Sequence, residues 1–478
     1  MSDKSHPSTA GERLVFTSDW LASRPFFYNV RTGQSGHDIH KVIDLADLEF
    51  DPEGFNDYLD FGYSVFERTP VRDVRVLRHS ARLYSGPAGL RVEYLPDPAY
   101  EWLERRSSVD EVLEVAAAKI EEAAAVHSGD IVVPTSGGLD SRLIDVLVRD
   151  RSRIRAFTYG SSDDPARSFE VVKALELARR LGFRWEMVPL GDFHRYFAEW
   201  DELFGCSAHA HGMYQIEFYK RVAERVESGS LVLSGAFGDE FAGDDATVHS
   251  IPVLRGPADV LPVLRYGHMC ADSRQSRFHS DLQGAQRLLD AEPRLRSEMR
   301  PRVFTKLRAE AVVLSYLFTV PASLGLLPRA PYLDIDLAMR MLTLPDESRR
   351  GRRWQHEVFA RYGVDLEAQA WSADYRRTLN FVGMRRVPLE PLDERLLREV
   401  VRPEYVRWIN RQIGTLGLGW ELYWRLGWTK GFRRAVEAAQ RRGITEQRGP
   451  AYFAYLTLKP IETLLQRRDH ARDAKSST

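Results

Sequence analysis

The hydrophobic pattern of the chain changes period near residue 100. From Arg13 to about Pro98, short β-branched and aromatic runs alternate with turn residues: Leu14-Val15-Phe16-Thr17, Pro25-Phe26-Phe27-Tyr28, Val74-Arg75-Val76-Leu77 and Leu90-Arg91-Val92-Glu93-Tyr94. They predict a small β-rich domain over residues 13–100, behind a polar lead, residues 1–12, expected to be disordered. From Ser108 the period becomes helical. Ser108-Val109-Asp110-Glu111 has the spacing of a capping box, and residues 112–125 are rich in Ala, Leu, Ile and Glu. Apolar runs at 131–134, 154–160, 184–189 and 231–233 then read as strands, and helical patterns at 139–148 and 169–181 fall among them. Such alternation predicts an α/β fold with a parallel sheet, right-handed crossovers and a ligand at the carboxyl ends of the strands. Residues 101–250 make up this region; residues 251–466 read as mostly helical and arginine-rich, and 467–478 as a polar tail.

Composition changes this picture little. The 478 residues are 44% hydrophobic and 11% aromatic, enough for two or three domains with ordinary cores. One uncharged run, Ala311 to Pro328, reaches the minimum length of a membrane span. It contains Ser315, Thr319, Pro321, Ser323, Gly325 and Pro328, so a buried helix and turn is the expectation. A formal net charge of -1 gives no global field for nucleic acid. Cys206 and Cys270, the two cysteines, make no disulfide framework, and the polar N-terminus lacks the apolar core of a signal peptide. Both features fit a cytoplasmic protein.

Chemistry concentrates in Ile131-Val132-Val133-Pro134-Thr135-Ser136-Gly137-Gly138-Leu139-Asp140-Ser141-Arg142. A strand delivers a glycine turn to a helix start: the glycines permit positive φ, and successive backbone N–H groups with the helix N-terminus form an anion nest. Ser136 and Ser141 add hydroxyl donors, and Asp140 a hard oxygen for Mg²⁺. No lysine follows the glycines, so this is not the Gly-Lys-Ser/Thr nucleotide loop. The plain alternative is an ordinary glycine turn.

Ser136-Gly137-Gly138-Leu139-Asp140-Ser141 resembles the pyrophosphate loop (PP-loop) of the ATP pyrophosphatases, the group that includes asparagine synthetase and β-lactam synthetase. The resemblance implies cleavage of ATP between its α and β phosphates. The implied fold is a PP-loop α/β synthetase domain, adenine nucleotide alpha hydrolase-like, with a helical C-terminal half. Thr17 to Tyr28 is similar to a run inside the glutaminase domain of asparagine synthetase, and Asp57 to Tyr63 to the segment closing that domain. That glutaminase needs an N-terminal cysteine; position two is Ser2. Residues 13–100 are therefore expected to be a truncated amidotransferase-like remnant without glutaminase activity.

The second family signature, Ser-Gly-(Asp or Glu)-Gly-(Ala or Gly)-Asp-Glu-x-x-Gly-Gly, resembles residues 234–243, which keep Ser234, Gly235, Asp239, Glu240 and Gly243 but carry Ala236 for the acid and Phe237 for a glycine. Arg329-Ala330-Pro331-Tyr332-Leu333-Asp334 resembles a landmark of the helical half and is given a structural role. By matching positions, the resemblance implies that Ser136, Gly137, Gly138 and Ser141 cradle phosphates and that Asp140 and Asp239 hold Mg²⁺. Pro134, Tyr159, Ser234 and Gly235 would line the adenine. The family has a lysine after its Pro-Phe-Leu-Asp segment that stabilises transition-state charge. No lysine lies between Lys306 and Lys430, and the nearest counterparts by spacing are Arg376 and Arg377.

His209 and His211, with His249 as a third ligand, could suggest a metal; a satisfied polar turn or a substrate-facing role is preferred, the latter shared with Glu240. The run Arg349-Arg350-Gly351-Arg352-Arg353 reads as a solvated helix face rather than a pyrophosphate or acidic-substrate contact. The leading functional reading is an AMP-forming, ATP- and Mg²⁺-dependent ligase. It would join a small-molecule or peptide carboxylate to ammonia or an amine, with a separate glutaminase as one source of ammonia and no nucleic-acid or membrane partner. A catalytically degraded ATP-binding interaction protein and a nucleic-acid thiolation enzyme are the alternatives; retention of both aspartates argues against the first, and scarce cysteines with neutral charge against the second.

Overall fold

A computed structural model describes residues 11–243, 251–265, 270–279, 281–367, 369–414 and 447–476, with isolated positions between 415 and 446. Residues 1–10 of the predicted lead lie outside the described residues, as does His249.

Two small antiparallel sheets build the N-terminal part. β1 (Arg13–Thr17), β5 (Ala81–Gly86) and β6 (Gly89–Tyr94) form one in the order β1-β5-β6; β2 (Phe27–Asn29), β3 (Ser35–Gly36) and β4 (Val74–Val76) form the other in the order β3-β2-β4. Between β3 and β4 the chain forms α1 (Pro52–Phe61), a helix that the β-rich sequence pattern does not predict. Pro52 starts it, Asp51 caps its first turn by accepting from Gly54 N, and Gly62 ends it in the left-handed region at φ 84°.

The N-terminal part shares one continuous apolar core with the rest of the chain, including Trp20, Phe55, Tyr58 and Tyr63. Trp20 Nε1 donates to Leu333 O at 2.9 Å, and the hydroxyls of Tyr58 and Tyr63 donate to Thr457 O and Leu264 O, each at 2.9 Å. Each buried donor is thus satisfied by the other part of the chain.

After α2 (Val109–Ala125), whose capping box at Ser108 and Glu111 is formed, comes a five-stranded parallel sheet in the order β11-β10-β7-β8-β9. Its strands are β7 (Ile131–Pro134), β8 (Ile154–Thr158), β9 (Arg184–Met187), β10 (Leu231–Leu233) and β11 (Leu327–Arg329). Four match the predicted strands. The fifth emerges from the uncharged run, which folds as a helix over Tyr316–Ser323 and a turn at Gly325 (φ +77°) before β11 pairs with β10. β7 is central, and the crossovers leave it in opposite directions, to β8 on one side and toward β10 on the other. This is a topological switch point, where a crevice opens at the carboxyl ends of the strands.

From α3 to residue 361 the described α-helices are, in chain order, α3 (Leu139–Leu147), α4 (Phe169–Leu181), α5 (Phe197–Phe204), α6 (Met213–Ala223), α7 (Gly238–Ala242), α8 (Val260–Leu264), α9 (Gln283–Ala291), α10 (Met299–Leu314), α11 (Tyr316–Ser323), α12 (Ile335–Leu342), α13 (Asp346–Arg349) and α14 (Arg353–Arg361), and Leu379–Arg386, Glu394–Leu397 and Pro403–Gly414 are helical beyond them. The C-terminal helix, Arg448–Ser476, carries helical structure through most of what the sequence pattern marked as a polar tail. No helix among the described residues is long and apolar enough to cross a membrane.

Candidate nucleotide-binding site

β7 runs as Ile131-Val132-Val133, three fully buried β-branched residues, and then turns through Thr135, Ser136, Gly137 and Gly138 into α3. Gly137 sits at φ +69°, and a Cβ there would lie 2.5 Å from Lys173 Cβ, so backbone strain and the nearness of α4 both require glycine. Ser136 N donates to Ser141 Oγ and Gly138 N to Ser136 Oγ, each at 3.3 Å. The loop is clamped from beneath by Arg142, whose side chain is wholly buried. It donates to Gly137 O at 2.6 Å, to Val364 O at 3.1 Å and to both oxygens of Glu367 at 2.6 and 2.9 Å. Lys173 reaches the same Glu367 at 3.0 Å.

β10 delivers the second motif to the same place. A Cβ on Gly235 would come within 2.7 Å of Ser141 N, and one on Gly238 within 2.5 Å of Asp140 Oδ1, so both glycines permit the two loops to close on each other. Phe237 keeps the left-handed backbone (φ +70°) that suits the glycine of the family pattern. Its buried ring stacks on Phe318 at 6.0 Å, a contact that offsets part of the strain. Tyr332, in the landmark segment, donates its hydroxyl to Asp140 O at 3.0 Å, and Trp354 Nε1 donates to Ala242 O at 3.0 Å.

Asp140 and Asp239 interact across this junction, and Arg352 lies on Asp140 Oδ1 as an ion pair. Burial pushes the Asp140 carboxyl up to about 6; Arg352 opposes this and the charge of Asp239 adds to it. Burial works against the charge of Asp239 too. A hydrogen bond from the Glu240 carboxyl and the charges of Arg352 and Lys306 nevertheless hold it below the usual carboxylate range. Burial, reinforced by Asp239, raises Glu240 well above that range, so its carboxyl keeps a proton. Lys306, on α10, stands 3.7 Å from Glu240 and 3.2 Å from Glu310; burial lifts Glu310 to about 7 against the pull of Lys306. Two neighbouring carboxylates beside a glycine loop form a donor set of hard oxygens suited to Mg²⁺, and in this structure Arg352 occupies Asp140 Oδ1.

A cavity of about 400 Å³ opens on the other side of the loop, at the ends of β7 and β8. Pro134, Ser136, Tyr159, His211, Tyr214 and Arg377 are on its wall. Tyr159 lies edge-on or tilted to Phe218 (5.5 Å) and Tyr214 (5.7 Å), an aromatic surface of a kind that suits a purine. Pro134 and Tyr159 line the cavity, whereas Gly235 packs against Asp140 and Ser141 at the start of α3 and Ser234 N donates to Arg329 O at 2.8 Å.

Arg377 reaches this cavity, but Arg376 is held by Asp374 at 2.6 Å and Asp163 at 2.8 Å. His209 is fully buried with no hydrogen-bond partner among the described residues on either ring nitrogen, and His211 stacks on it at 5.8 Å. Burial lowers both imidazoles, His211 to about 4. His209 therefore faces the interior of the protein, and only His211 reaches the cleft.

The reading of residues 349–353 as a solvated face holds for Arg350 and Arg353, which are exposed, but needs correction for Arg349 and Arg352, which are 0% and 9% exposed. Gly351 and Arg352 adopt left-handed φ values of 58° and 56°; the chain kinks between α13 and α14 and swings Arg352 inward. Helical periodicity cannot anticipate such a kink. Lys306, Glu310 and the Arg142–Glu367 clamp likewise escaped the sequence reading. Lys306 was visible only as the residue bounding a lysine-free stretch.

A parallel α/β sheet with a pyrophosphate-type loop at its switch point defines the class of this part of the chain. Residues 130–361 match the asparagine synthase family model. Among solved structures the chain is similar to an NH3-dependent NAD synthetase from Campylobacter jejuni subsp. jejuni NCTC 11168 in complex with the nitrate ion. Identity is 15%, coverage 45% of this chain and 91% of that one, and the TM-score 0.23. No curated protein sequence matches the chain.

Proposed function

We propose that the protein is an ATP-dependent, AMP-forming ligase that adenylates a carboxylate and joins it to ammonia or an amine, without glutaminase activity of its own. The observation that supports this most is the meeting of the Ser136–Ser141 loop with Gly238 and Asp239 at the carboxyl ends of β7 and β10, within the residues that match the asparagine synthase family model. The loop amides and the hydroxyls of Ser136 and Ser141 bind the departing phosphates, and the aromatic cavity orients the purine. Asp140 and Asp239 would hold Mg²⁺, which supplies charge neutralisation to the pyrophosphate. Arg352 then turns from Asp140 toward the phosphates, giving the site the cation expected of the family lysine. Glu310, poised near 7 beside Lys306, offers a place for the proton that an ammonium gives up before the free amine attacks.

Purified protein with its carboxylate and amine should release AMP and pyrophosphate in equal amounts and need Mg²⁺; ADP and phosphate would overturn the assignment. Glutamine offered alone should yield no glutamate. One observation favours a second reading, an ATP-binding protein without turnover: Arg352 already neutralises Asp140. Mg²⁺-independent ATP binding, with no pyrophosphate release across a carboxylate library, would select it.

A further inference from the structure

A larger cavity, about 550 Å³, lies between the N-terminal part and helices α9 and α10. Its volume falls within the roughly 300–1,000 Å³ of small-molecule sites. Thr305, Arg308, Ala309 and Val312 of α10 face it, and this face is distinct from the one that carries Lys306 and Glu310 to the nucleotide side. The cavity is therefore a separate site that shares one helix with the first.

Its wall is built for a polar contact that the protein leaves unmade. Ser64 Oγ, Arg78 Nε and His79 Nδ1 all belong to residues lining the cavity, are closed to solvent and have no hydrogen-bond partner among the described residues. Buried polar atoms are normally satisfied, and three orphans on one cavity wall point to a ligand. The charges narrow the choice. Arg68 is paired with Asp51 and Glu53, Arg75 with Asp51, Arg287 with Glu53, and Arg308 with Asp97. The two acids on the wall accept from tyrosine hydroxyls, Glu67 from Tyr94 and Glu292 from Tyr100. Arg78 lies over the Tyr94 ring at 4.6 Å and has no acidic partner among the described residues. Burial, with Arg308 and Arg78 nearby, keeps His79 neutral, so it adds a hydrogen-bonding group and no charge. Val65, Phe66, Leu264, Leu288 and Val312 supply an apolar surface.

We propose that this cavity binds a small organic carboxylate with an apolar body, the carboxylate against Arg78 and Ser64 and the body against α9 and α10. The inference is independent of the ligase reading, because none of these residues belongs to the nucleotide site. A full-chain calorimetric titration with hexanoate, hexanol and hexylamine tests it. Hexanoate should bind at one saturable site, with hexanol at least tenfold weaker and hexylamine silent.

Ala309→Phe, which fills the cavity from α10, should abolish hexanoate binding. Arg78→Met should weaken hexanoate tenfold or more while leaving hexanol unchanged. Thermal melts of both variants confirm folding. Equal affinity for hexanol and hexanoate, or no hexanoate binding to the folded wild-type chain, overturns the proposal. So does binding that survives Ala309→Phe, which would assign the carboxylate to the nucleotide cleft.

Discussion

Glu367→Gln isolates the clamp beneath the phosphate loop. Glu367 takes both oxygens of its carboxylate to Arg142, a side chain with 0% exposure, and one of them also to Lys173. Burial opposes its charge, but the hydrogen bonds and charges of Arg142 and Lys173 win, and the carboxyl is held down from 4.5 to about 2. Each tenfold change in proton affinity is worth ~1.4 kcal/mol, which makes the pair worth ~3 kcal/mol at face value. The Glu367 side chain is 29% exposed, and allowing for solvent screening leaves about 2 kcal/mol. A depressed folded pKa contributes stability above the unfolded value and loses it as pH falls through the folded one. The contribution should be whole at pH 7 and vanish between about 4.5 and 2. Urea unfolding of wild type and Glu367→Gln should therefore differ by about 2 kcal/mol at pH 7, with the gap closing at the acid end of that window. Equal stability at pH 7, or a gap that does not change between pH 7 and 3, would refute the argument.

Asp145, fully buried and hydrogen-bonded to Thr135, is raised by burial to about 8, so between about 4 and 8 the folded state holds a proton that the unfolded state has lost. Wild-type stability should fall with rising pH there by up to ~1.4 kcal/mol per pH unit relative to Asp145→Asn, measured by urea midpoints from pH 5 to 8. Asp140→Asn and Asp239→Asn should each lower turnover by ~10²-fold or more in chains that still unfold cooperatively on heating; unchanged rates would remove both from the site. Arg377→Ala should weaken ATP binding in a titration, because Arg377 lines the cleft, whereas Arg376→Ala, which breaks an ion pair outside it, should change stability more than affinity. Gly137→Ala must relieve a 2.5 Å contact and a left-handed strain of ~1–3 kcal/mol, and should lower ATP affinity by about tenfold or more in the same assay.

What the sequence determined by itself is local. The β-branched run before Ser136, the glycines after it and the capping box at Ser108 each act within a few residues, so β7, the loop, α3 and α2 could be placed from the chain alone. Strand-helix alternation carried the parallel sheet, because crossover handedness leaves few topologies open. The tertiary structure decided what depends on contacts between distant segments. β11 is three residues long and exists by pairing with β10; its sequence, Leu-Pro-Arg, is no strand signal. Arg352 meets Asp140 across 212 positions through a two-residue left-handed kink, and Arg142 finds Glu367 across 225. Lys306, Glu240 and Glu310 become one cluster only when α10 is laid against α7, and burial there, not residue type, sets which carboxyl keeps its proton. Desolvation and the field of remote charges are properties of the packed interior, and no reading of spacing along the chain contains them.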